Sequence, residues 1–366
     1  MIALHGAYEN ENFGDELLIA IQSNWVKEIG LEICLPFASR VYREQIDSSS
    51  LVGVDALKKS SHLIYTGGGY FGEPNHNQVK WGINFFRKKH HIPGKIFKKQ
   101  NKKYIVSGVG AGPITNFLTR ASVRNICNSA EKVIVRDDQS YNYLKKYGVE
   151  SSKLCTAADI VLTLKDDDIS DEVMNNIKDK IQRKPGKFYF GVHIGVSPDD
   201  TNYSDNVKIL IDSLANILKN RDDIIPVLIA DKRQAISTQE KAIDYMRNVL
   251  GMDCIIYRHE NIWSTCALLS SLDAVITTKL HVGITAYSLG TKTFGVAAHQ
   301  KTKRFYSQIN KNEYFYELKD VNDNIQSKIE DFLIDKYWDK ETLDIRGELY
   351  QKSLVCKNEI LRFIES

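Results

Sequence analysis

Short apolar runs alternate along the first half of the chain with longer segments whose apolar residues recur at helical spacing. The runs rich in Val, Ile and Tyr predict strands over residues 2–5, 31–35, 62–66, 104–107 and 132–135. The longer segments predict amphipathic helices over residues 16–28, 115–130 and 139–147. This alternation is typical of βαβ units on a parallel sheet, so we expect a doubly wound α/β domain.

A second alternating series follows a charged and polar segment, residues 165–186, which we interpret as a domain joint enclosing a short helix. Its predicted strands are 188–194, 225–230, 254–257, 274–277 and 293–296, with helices at 206–219 and 239–250. After residue 319 the pattern is helical to the end, apart from 339–344. We therefore predict an N-terminal domain over 1–170, a C-terminal domain over 187–320, and helices over 321–366 that pack back toward the N-terminal domain.

Two Rossmann-like α/β domains of this kind face a cleft, and ligands of parallel sheets bind at the carboxyl ends of the strands. The chain of 366 residues carries 49 Lys and Arg against 46 Asp and Glu, a net charge of +3 that argues against a general nucleic-acid binder. Its six cysteines are scattered without a CxxC pair, which favours a reducing cytoplasm and indicates no metal cluster. Functional residues are therefore sought in the turns after the strands.

Two turns in the first half suggest a ligand. After the first strand, Asn12, Gly14 and Asp15 form either a plain helix start or a helix N-terminus that holds a hydroxyl-rich or anionic ligand. After the third strand, the run Gly67, Gly68 and Gly69 lets backbone N–H groups approach a ligand that any Cβ would exclude.

Two further strand ends in this half are ambiguous. The run GVGAGP after the fourth strand includes Gly110 but has Pro113 where a dinucleotide fingerprint needs Gly or Ala, so NAD binding is not expected. Arg136 ends the fifth strand, where it either pairs with a neighbouring acid or grips a carboxylate or phosphate.

The second half carries the densest chemistry. Lys279 and His281 follow the strand at 274–277 and start a helix, whose N–H groups favour anions. The next helix start carries a further cationic group: His299, Lys301, Lys303 and Arg304. A lone His is more often structural, but this convergence of cations on adjacent strand ends predicts a site for a small, multiply charged anion.

The basic stretch over residues 87–103 is a separate feature. It is either a solvated helix face or a peripheral contact with a phosphate-bearing lipid or an anionic membrane surface.

Together these motifs resemble the polysaccharide pyruvyl transferase family over roughly residues 10–304. The resemblance rests on NFGDE at 12–16, the glycine runs, Arg136-Asp137 with Ser140, Asp159, and above all Lys279-Leu280-His281, where the family usually shows Arg-Leu-His. The family has a fold similar to the glycosyltransferase B architecture and moves the enolpyruvyl unit of phosphoenolpyruvate onto a sugar as a ketal. Many relatives also carry an Arg near the position of His193.

The resemblance implies a donor side in the C-terminal domain and an acceptor side in the N-terminal domain. His281 is then the general acid or a phosphate ligand, and Asp15 a weaker candidate on the acceptor side. The substrate-binding candidates are Asn12, Gly14, Gly67, Gly68, Gly69, Gly110, Arg136, His193, Lys279, Leu280, His299, Lys301, Lys303 and Arg304. We expect no cofactor and no metal, only phosphoenolpyruvate as donor substrate.

Two other functions stay open. A nucleotide-sugar-dependent glycosyltransferase or epimerase of the same fold needs an acidic ribose clamp near a second-domain helix. A glycan-binding protein without catalysis would tolerate loss of the cations, which are present. For the transferase we expect phosphoenolpyruvate and a lipid-linked or nucleotide-linked sugar as partners and no nucleic acid. The expected place is the cytoplasm, with a peripheral contact at the inner face of the membrane, and the expected role is assembly of capsule or other exopolysaccharide.

Overall fold

The computed structural model describes residues 1–8, 12–73, 78–87, 90–232, 238–251 and 253–366. The chain divides into two compact units. The first combines Met1–Thr163 with Leu349–Ser366, and the second is the single segment Leu164–Glu348. Each unit contains its own parallel sheet, so the predicted fold class of two Rossmann-like α/β domains is confirmed.

The first unit is built on a seven-stranded sheet in the order β2-β1-β3-β5-β6-β7, with β4 paired to β5. All of these pairs are parallel. The strands are β1 (Ile2–His5), β2 (Ile33–Cys34), β3 (His62–Tyr65), β4 (Gly68–Phe71), β5 (Tyr104–Ala111), β6 (Val133–Val135) and β7 (Leu154–Thr156). The helices are α1 (Phe13–Glu28), α2 (Arg40–Gln45), α3 (Gly53–Lys59), α4 (Gln78–Arg87), α5 (Ile92–Lys99), α6 (Phe117–Ser129) and α7 (Asp138–Lys146).

The second unit has a six-stranded parallel sheet in the order β10-β9-β8-β11-β12-β13. Its strands are β8 (Phe188–His193), β9 (Ile224–Ala230), β10 (Ile255–Arg258), β11 (Ala274–Thr277), β12 (Lys292–Ala297) and β13 (Phe315–Glu317). The remaining helices are α8 (Asp171–Ile181), α9 (Ser204–Lys219), α10 (Thr238–Leu250), α11 (Ile262–Ser270), α12 (Leu280–Ser288), α13 (Gln300–Gln308), α14 (Ile325–Phe332) and α15 (Lys340–Glu365).

Every predicted strand is present, but the glycine-rich segment after the fourth predicted strand differs from the prediction. The sequence predicted a turn from residue 108, whereas β5 continues through Ala111 with a register shift against β6. Gly108 has φ of +77°, a value open to glycine, so the chain bulges there and stays in the sheet. The triple glycine likewise enters a strand, β4, which the sequence did not predict. The other unpredicted strands, β7 and β13, are edge strands of three residues, too short for a periodic signal.

The C-terminal tail also differs from the prediction, because residues 340–344 are helical. Asp339 accepts hydrogen bonds from the backbone N–H of Thr342 at 2.8 Å and from its Oγ1 at 2.7 Å, and these bonds cap the first turn of α15. Helix α14 does not join the first unit, because its Ile325, Ile329 and Phe332 lie in the apolar core of the second. Only the last part of α15, from Leu349, belongs to the first unit.

The six cysteines are free thiols. Among the described helices, none has both the length and the hydropathy that crossing a bilayer requires.

A buried histidine pair lies at the carboxyl edge of the first sheet. His5, the last residue of β1, is fully buried, and its Nε2 lies 2.9 Å from His90 Nδ1. The Tyr70 ring stacks on His90 with centroids 4.7 Å apart, and Tyr65 OH donates to the His90 carbonyl at 2.9 Å. Burial, with the neighbouring His90, holds the pKa of His5 well below its ordinary value.

Acidification is therefore expected to destabilise the protein through His5. The unfolded chain accepts a proton near the ordinary pKa of about 6.5, whereas folded His5 stays neutral to lower pH. The contribution of His5 to stability is thus complete above that value and is lost as the pH falls toward the lowered pKa. Urea unfolding at pH 7.5 and 5.5 should show a larger loss for the wild type than for His5→Gln. His62→Gln, at a half-buried histidine whose pKa burial lowers less, should reduce the loss by a smaller amount. An equal loss in wild type and His5→Gln would contradict the prediction.

Candidate functional site

The carboxyl edge of the second sheet gathers the cationic residues that the sequence singled out. Strands β9, β8, β11 and β12 are neighbours in that order, and parallel strands end at the same edge. His193 ends β8, Lys279 and His281 follow β11, and His299 follows β12. Asp231, which follows β9, joins them.

The Asp231 carboxylate is the centre of this edge. It is almost completely buried, and Lys279 Nζ approaches its two oxygens at 2.6 and 2.9 Å. Gln239 completes the enclosure, because its Nε2 donates to the carboxylate while its Oε1 accepts from the Asp231 backbone N–H at 3.0 Å. The ion pair therefore connects the end of β9 to the residue that precedes α12.

His193 is the second partner of Asp231. Its ring is fully buried, with Nε2 3.2 Å from Asp231 Oδ1 and Nδ1 2.9 Å from Thr277 Oγ1. The Nε2 atom lies within ion-pair distance of the carboxylate but lacks the geometry of a hydrogen bond, whereas Nδ1 and Thr277 Oγ1 are hydrogen-bonded. His193 thus joins the ends of three adjacent strands, β8, β9 and β11.

The electrostatics of the cluster favour a charged carboxylate. Burial by itself would raise the pKa of Asp231, but the charges of His193 and Lys279 and the hydrogen bonds from Lys279 outweigh burial and hold that pKa well below its ordinary value. Lys279 is about a quarter exposed, so its ammonium group contacts both the buried carboxylate and the surface of the sheet edge. An ammonium group has three donors, which suits it to a second, external anion.

The Lys279-Leu280-His281 motif lies at the start of helix α12, as the sequence predicted. Lys279 occupies the N-cap, with its backbone N–H donating to Thr277 Oγ1 at 3.0 Å, and Leu280 and His281 form the first turn. The His281 carbonyl accepts from Thr285 Oγ1 at 2.6 Å, while its ring is largely buried. Leu280 is buried in the core, so we assign it a packing role rather than the predicted contact with substrate.

The cations around α13 do not form one group. His299 is the N-cap residue and Lys301, Lys303 and Arg304 lie in the helix. Lys303 Nζ, however, pairs with Glu317 Oε1 at 3.2 Å, at the end of the neighbouring edge strand β13. Lys319 pairs with the other oxygen of Glu317 at 3.0 Å, so the two lysines share one carboxylate that the sequence did not point to.

In the first unit, Arg136 lies in a buried ion pair. Its Nη1 donates to Asp159 Oδ2 at 2.9 Å, and both side chains are 6% exposed. Asp137 accepts from the Ser140 backbone N–H at 2.7 Å and caps α7. Of the two interpretations of Arg136, pairing with a neighbouring acid is thus the one that the geometry matches.

Gly110 is explained by the same ion pair. A Cβ built on Gly110 would lie 2.8–2.9 Å from the Arg136 guanidinium atoms, closer than any carbon can approach. The strand therefore needs glycine there to let the guanidinium lie against its backbone. The group that lies close to the backbone of Gly110 is therefore the Arg136 guanidinium, at the place where the sequence predicted a ligand.

The turn after β1 places Asn12 at the N-cap of α1, with Gly14 in the first helical turn. The Asn12 side chain makes no capping hydrogen bond to the helix. Its Nδ2 donates to Asp15 Oδ2 at 2.9 Å instead. The other Asp15 oxygen lies 3.6 Å from the position that a Cβ on Gly68 would take, and Gly68 has φ of +135°.

The rest of the triple glycine differs in exposure. Gly67 is buried close to the Gly108 carbonyl, while Gly69 is exposed. The structure thus brings Asn12, Asp15 and Gly68 together at this edge.

The sequence analysis missed Asp231, Gln239 and Thr277. The position of Asp231 directly after a completely apolar strand is a signal that the sequence does contain. Lys279, the partner of Asp231, lies 48 residues further along the chain, so no local sequence pattern predicts the pair.

The chain was compared with known proteins. The sequence model of the family described as polysaccharide pyruvyl transferase matches residues 12–300, which confirms the resemblance found in the motifs. No curated protein matches the chain significantly.

Solved structures with a similar fold include a putative UDP-N-acetylglucosamine 2-epimerase from Listeria monocytogenes, at 12% identity and a TM-score of 0.64, covering 100% of this chain and 95% of that one. The UDP-GlcNAc 2-epimerase from Neisseria meningitidis is 8% identical with a TM-score of 0.64, covering 99% and 98%. HepE from Anabaena, in complex with UDP-glucose, is 14% identical with a TM-score of 0.59, covering 100% and 98%. These likenesses show a fold similar to the glycosyltransferase B architecture.

Replacing Gly110 by Ala is expected to destabilise the first unit by about 1–3 kcal/mol, because the added methyl group overpacks the Arg136 guanidinium. Gly347→Ala is the matched control, since a Cβ there meets no atom within 4 Å and lies inside α15. The control should be neutral or slightly stabilising. Urea unfolding of both variants checks the prediction, and equal stabilities would show that Arg136 does not need the glycine.

Asp231→Asn is expected to lower the free energy of unfolding by about 1.5–3 kcal/mol, because Lys279 and His193 lose a charged partner. Combined with Lys279→Met, the loss should be less than additive, since both changes break the same pair. A parallel cycle on the exposed pair of Lys303 and Glu317 should give a coupling below about 1 kcal/mol. Additive effects for Asp231 and Lys279 would rule out the pair as a stabilising unit.

Proposed function

Because the chain belongs to the polysaccharide pyruvyl transferase family, we propose that it moves the enolpyruvyl unit of phosphoenolpyruvate onto a sugar and forms a pyruvate ketal. The observation that carries the proposal is the start of α12, where Lys279 and His281 stand next to the buried carboxylate of Asp231. The acceptor that we propose is a sugar of a cell-surface polysaccharide precursor on a lipid or nucleotide carrier, in the cytoplasm.

Binding of the donor would use the cations at this edge. Phosphoenolpyruvate carries a carboxylate and a phosphate, so it needs several positive groups at fixed positions. Lys279 offers the donor that Asp231 does not use, and the N–H groups at the starts of α12 and α13 favour an anion. The same charges stabilise the departing phosphate, because negative charge builds up there as the bond to oxygen breaks.

The chemistry balances with two sugar hydroxyls. The first adds to C2 of the donor while C3 gains a proton, and the second displaces phosphate from C2, so that a ketal and inorganic phosphate result. We assign His281 as the general acid that protonates C3, with a role as phosphate ligand as the alternative. Asp15, beside Asn12 and Gly68 in the first unit, is our candidate for removing a hydroxyl proton on the acceptor side.

A nucleotide-sugar enzyme is the second candidate, because the structures of similar fold include enzymes bound to UDP or to UDP-sugars. Such an enzyme needs an acidic residue open to the ribose hydroxyls. Asp231 is the acidic residue beside the α12 motif, yet its oxygens are held by Lys279 and Gln239. Glu317, at the end of β13, is paired with Lys303 and Lys319. The occupied carboxylates favour the pyruvyl transferase.

Phosphoenolpyruvate is expected to raise the melting temperature of the protein, since a ligand that binds only the folded state stabilises it. Lys279→Ala should largely abolish this shift. Lys303→Ala removes the same charge from a residue already paired with Glu317, and should keep the shift. A protein stabilised by UDP-glucose and unaffected by phosphoenolpyruvate would instead support the nucleotide-sugar enzyme.

His281→Gln then separates binding from chemistry. If His281 is the general acid, the variant should keep most of the melting shift while its turnover falls by about 100-fold or more. Turnover is measured as phosphate release with a panel of lipid-linked and nucleotide-linked sugars. Equal losses in binding and turnover would identify a phosphate ligand. An unstable variant with unchanged specific activity would show that His281 is structural.

A further inference from the structure

The search for a second functional surface leads to helices α4, α5 and α6 of the first unit. Four large apolar side chains are exposed there: Val79 and Ile83 at 75% and 51% on α4, and Phe117 and Leu118 at 71% and 56% at the start of α6. The two helices adjoin, because a Cβ on Gly82 would lie 3.5 Å from Thr119 Oγ1. We call these four residues the apolar tip.

Side chains this large are seldom exposed together unless the surface binds something. Val79 and Ile83 lie one helical turn apart on the side of α4, and Phe117 and Leu118 are the first two residues of α6. A surface of this kind suits contact with a soft apolar phase better than burial against a second rigid core.

A basic cavity borders the tip. It has a volume of about 560 Å³, lies between α5 and α6, and is lined by Lys95, Lys98 and Leu118 among others. None of the described residues that line it is acidic. Lys95 and Lys98 are exposed and take part in no ion pair between described residues. Leu118 belongs to both features, so positive charge and apolar surface are continuous.

We propose that the apolar tip and the basic cavity together bind the surface of an anionic lipid membrane. Lys95 and Lys98 would contact lipid phosphates, while Phe117 and Leu118 enter the boundary between headgroups and acyl chains. Lysines alone would suit an acidic protein or a soluble phosphate equally well. The adjoining apolar side chains favour a lipid surface, since a membrane offers a layer of negative charge above an apolar phase.

The surface shares Lys95 and Lys98 with the basic stretch that the sequence predicted over residues 87–103, and extends beyond it. Lys88 and Lys89 and the side chain of Arg87 lie outside the described residues. Lys102 is occupied, because its Nζ donates to the carbonyls of Lys58 and Ser60 at 2.6 and 2.8 Å. The apolar half of the surface comes from α4 and α6, which that stretch does not explain.

Sedimentation with lipid vesicles tests the proposal independently of enzymatic activity. The protein should bind vesicles that contain phosphatidylcholine and phosphatidylglycerol in equal amounts. It should not bind vesicles of phosphatidylcholine alone, and high salt should release it from the mixed vesicles. Lys95→Gln with Lys98→Gln should weaken binding about 30-fold, since each lysine near such a surface contributes about fivefold. Phe117→Ser with Leu118→Ser should weaken it at least about tenfold.

Matched controls remove the same groups elsewhere in the first unit. Lys145→Gln with Lys146→Gln removes two exposed charges from α7, and Val41→Ser with Val52→Ser removes two apolar side chains that are 52% and 47% exposed. Both controls should bind like the wild type, and melting curves confirm that all four variants fold.

Three results would overturn the proposal. The first is no binding of the wild type to the mixed vesicles at low salt. The second is an equal loss in the test and control lysine variants, which would indicate attraction by net charge. The third is a loss in the Lys95 and Lys98 variant with none in the Phe117 and Leu118 variant, which would indicate a soluble anion or an acidic protein as the ligand.

Discussion

The organisation of the second unit depends on one buried charge, the carboxylate of Asp231. An ionised carboxylate without partners is too costly to bury, so its position is tenable only where opposite charge and hydrogen bonds surround it. Lys279, His193 and Gln239 meet that requirement, and each comes from a different element. The constraint acts in both directions. The carboxylate needs these groups, and their alignment at the edge of the sheet follows from its presence.

The first unit also contains a buried ion pair, but its cation is not open to solvent. Arg136 and Asp159 are both buried, and a glycine in β5 leaves room for the guanidinium. A planar guanidinium against a strand, with a carboxylate on one side, is a rigid arrangement with little exposed charge. By contrast, Lys279 keeps about a quarter of its side chain exposed. Of the two ion pairs, only the one in the second unit offers a cation to a solute.

The sequence predicted the sheets well because strand–helix alternation is a local property. It predicted the glycine segments poorly, because a pair of glycines within a strand and a pair in a turn have the same composition. What separates them is a distant neighbour: Gly108 bulges against Ile160 and Gly110 faces Arg136. Asp231 was missed for the same reason. The motif at Lys279 was visible in the sequence, while the group that fixes its geometry becomes apparent only when β9 lies two strands from β11.

The ion pair with Asp231 also explains why a lysine at position 279 differs in its effect from an arginine. The motif of this chain is Lys-Leu-His. An arginine in place of Lys279 would hold Asp231 by its guanidinium fork and present only its remaining edge to a ligand. A lysine ammonium group is a compact charge with three donors, so it can hold the carboxylate and still direct a donor outward. Within the pair, the charges of Lys279 and Asp231 cancel. Attraction for an anion therefore depends on the donor that Lys279 directs outward together with the N–H groups in the first turns of α12 and α13. For the donor that we propose, the direction of the Lys279 ammonium group and of these N–H groups would then matter more than the number of cations.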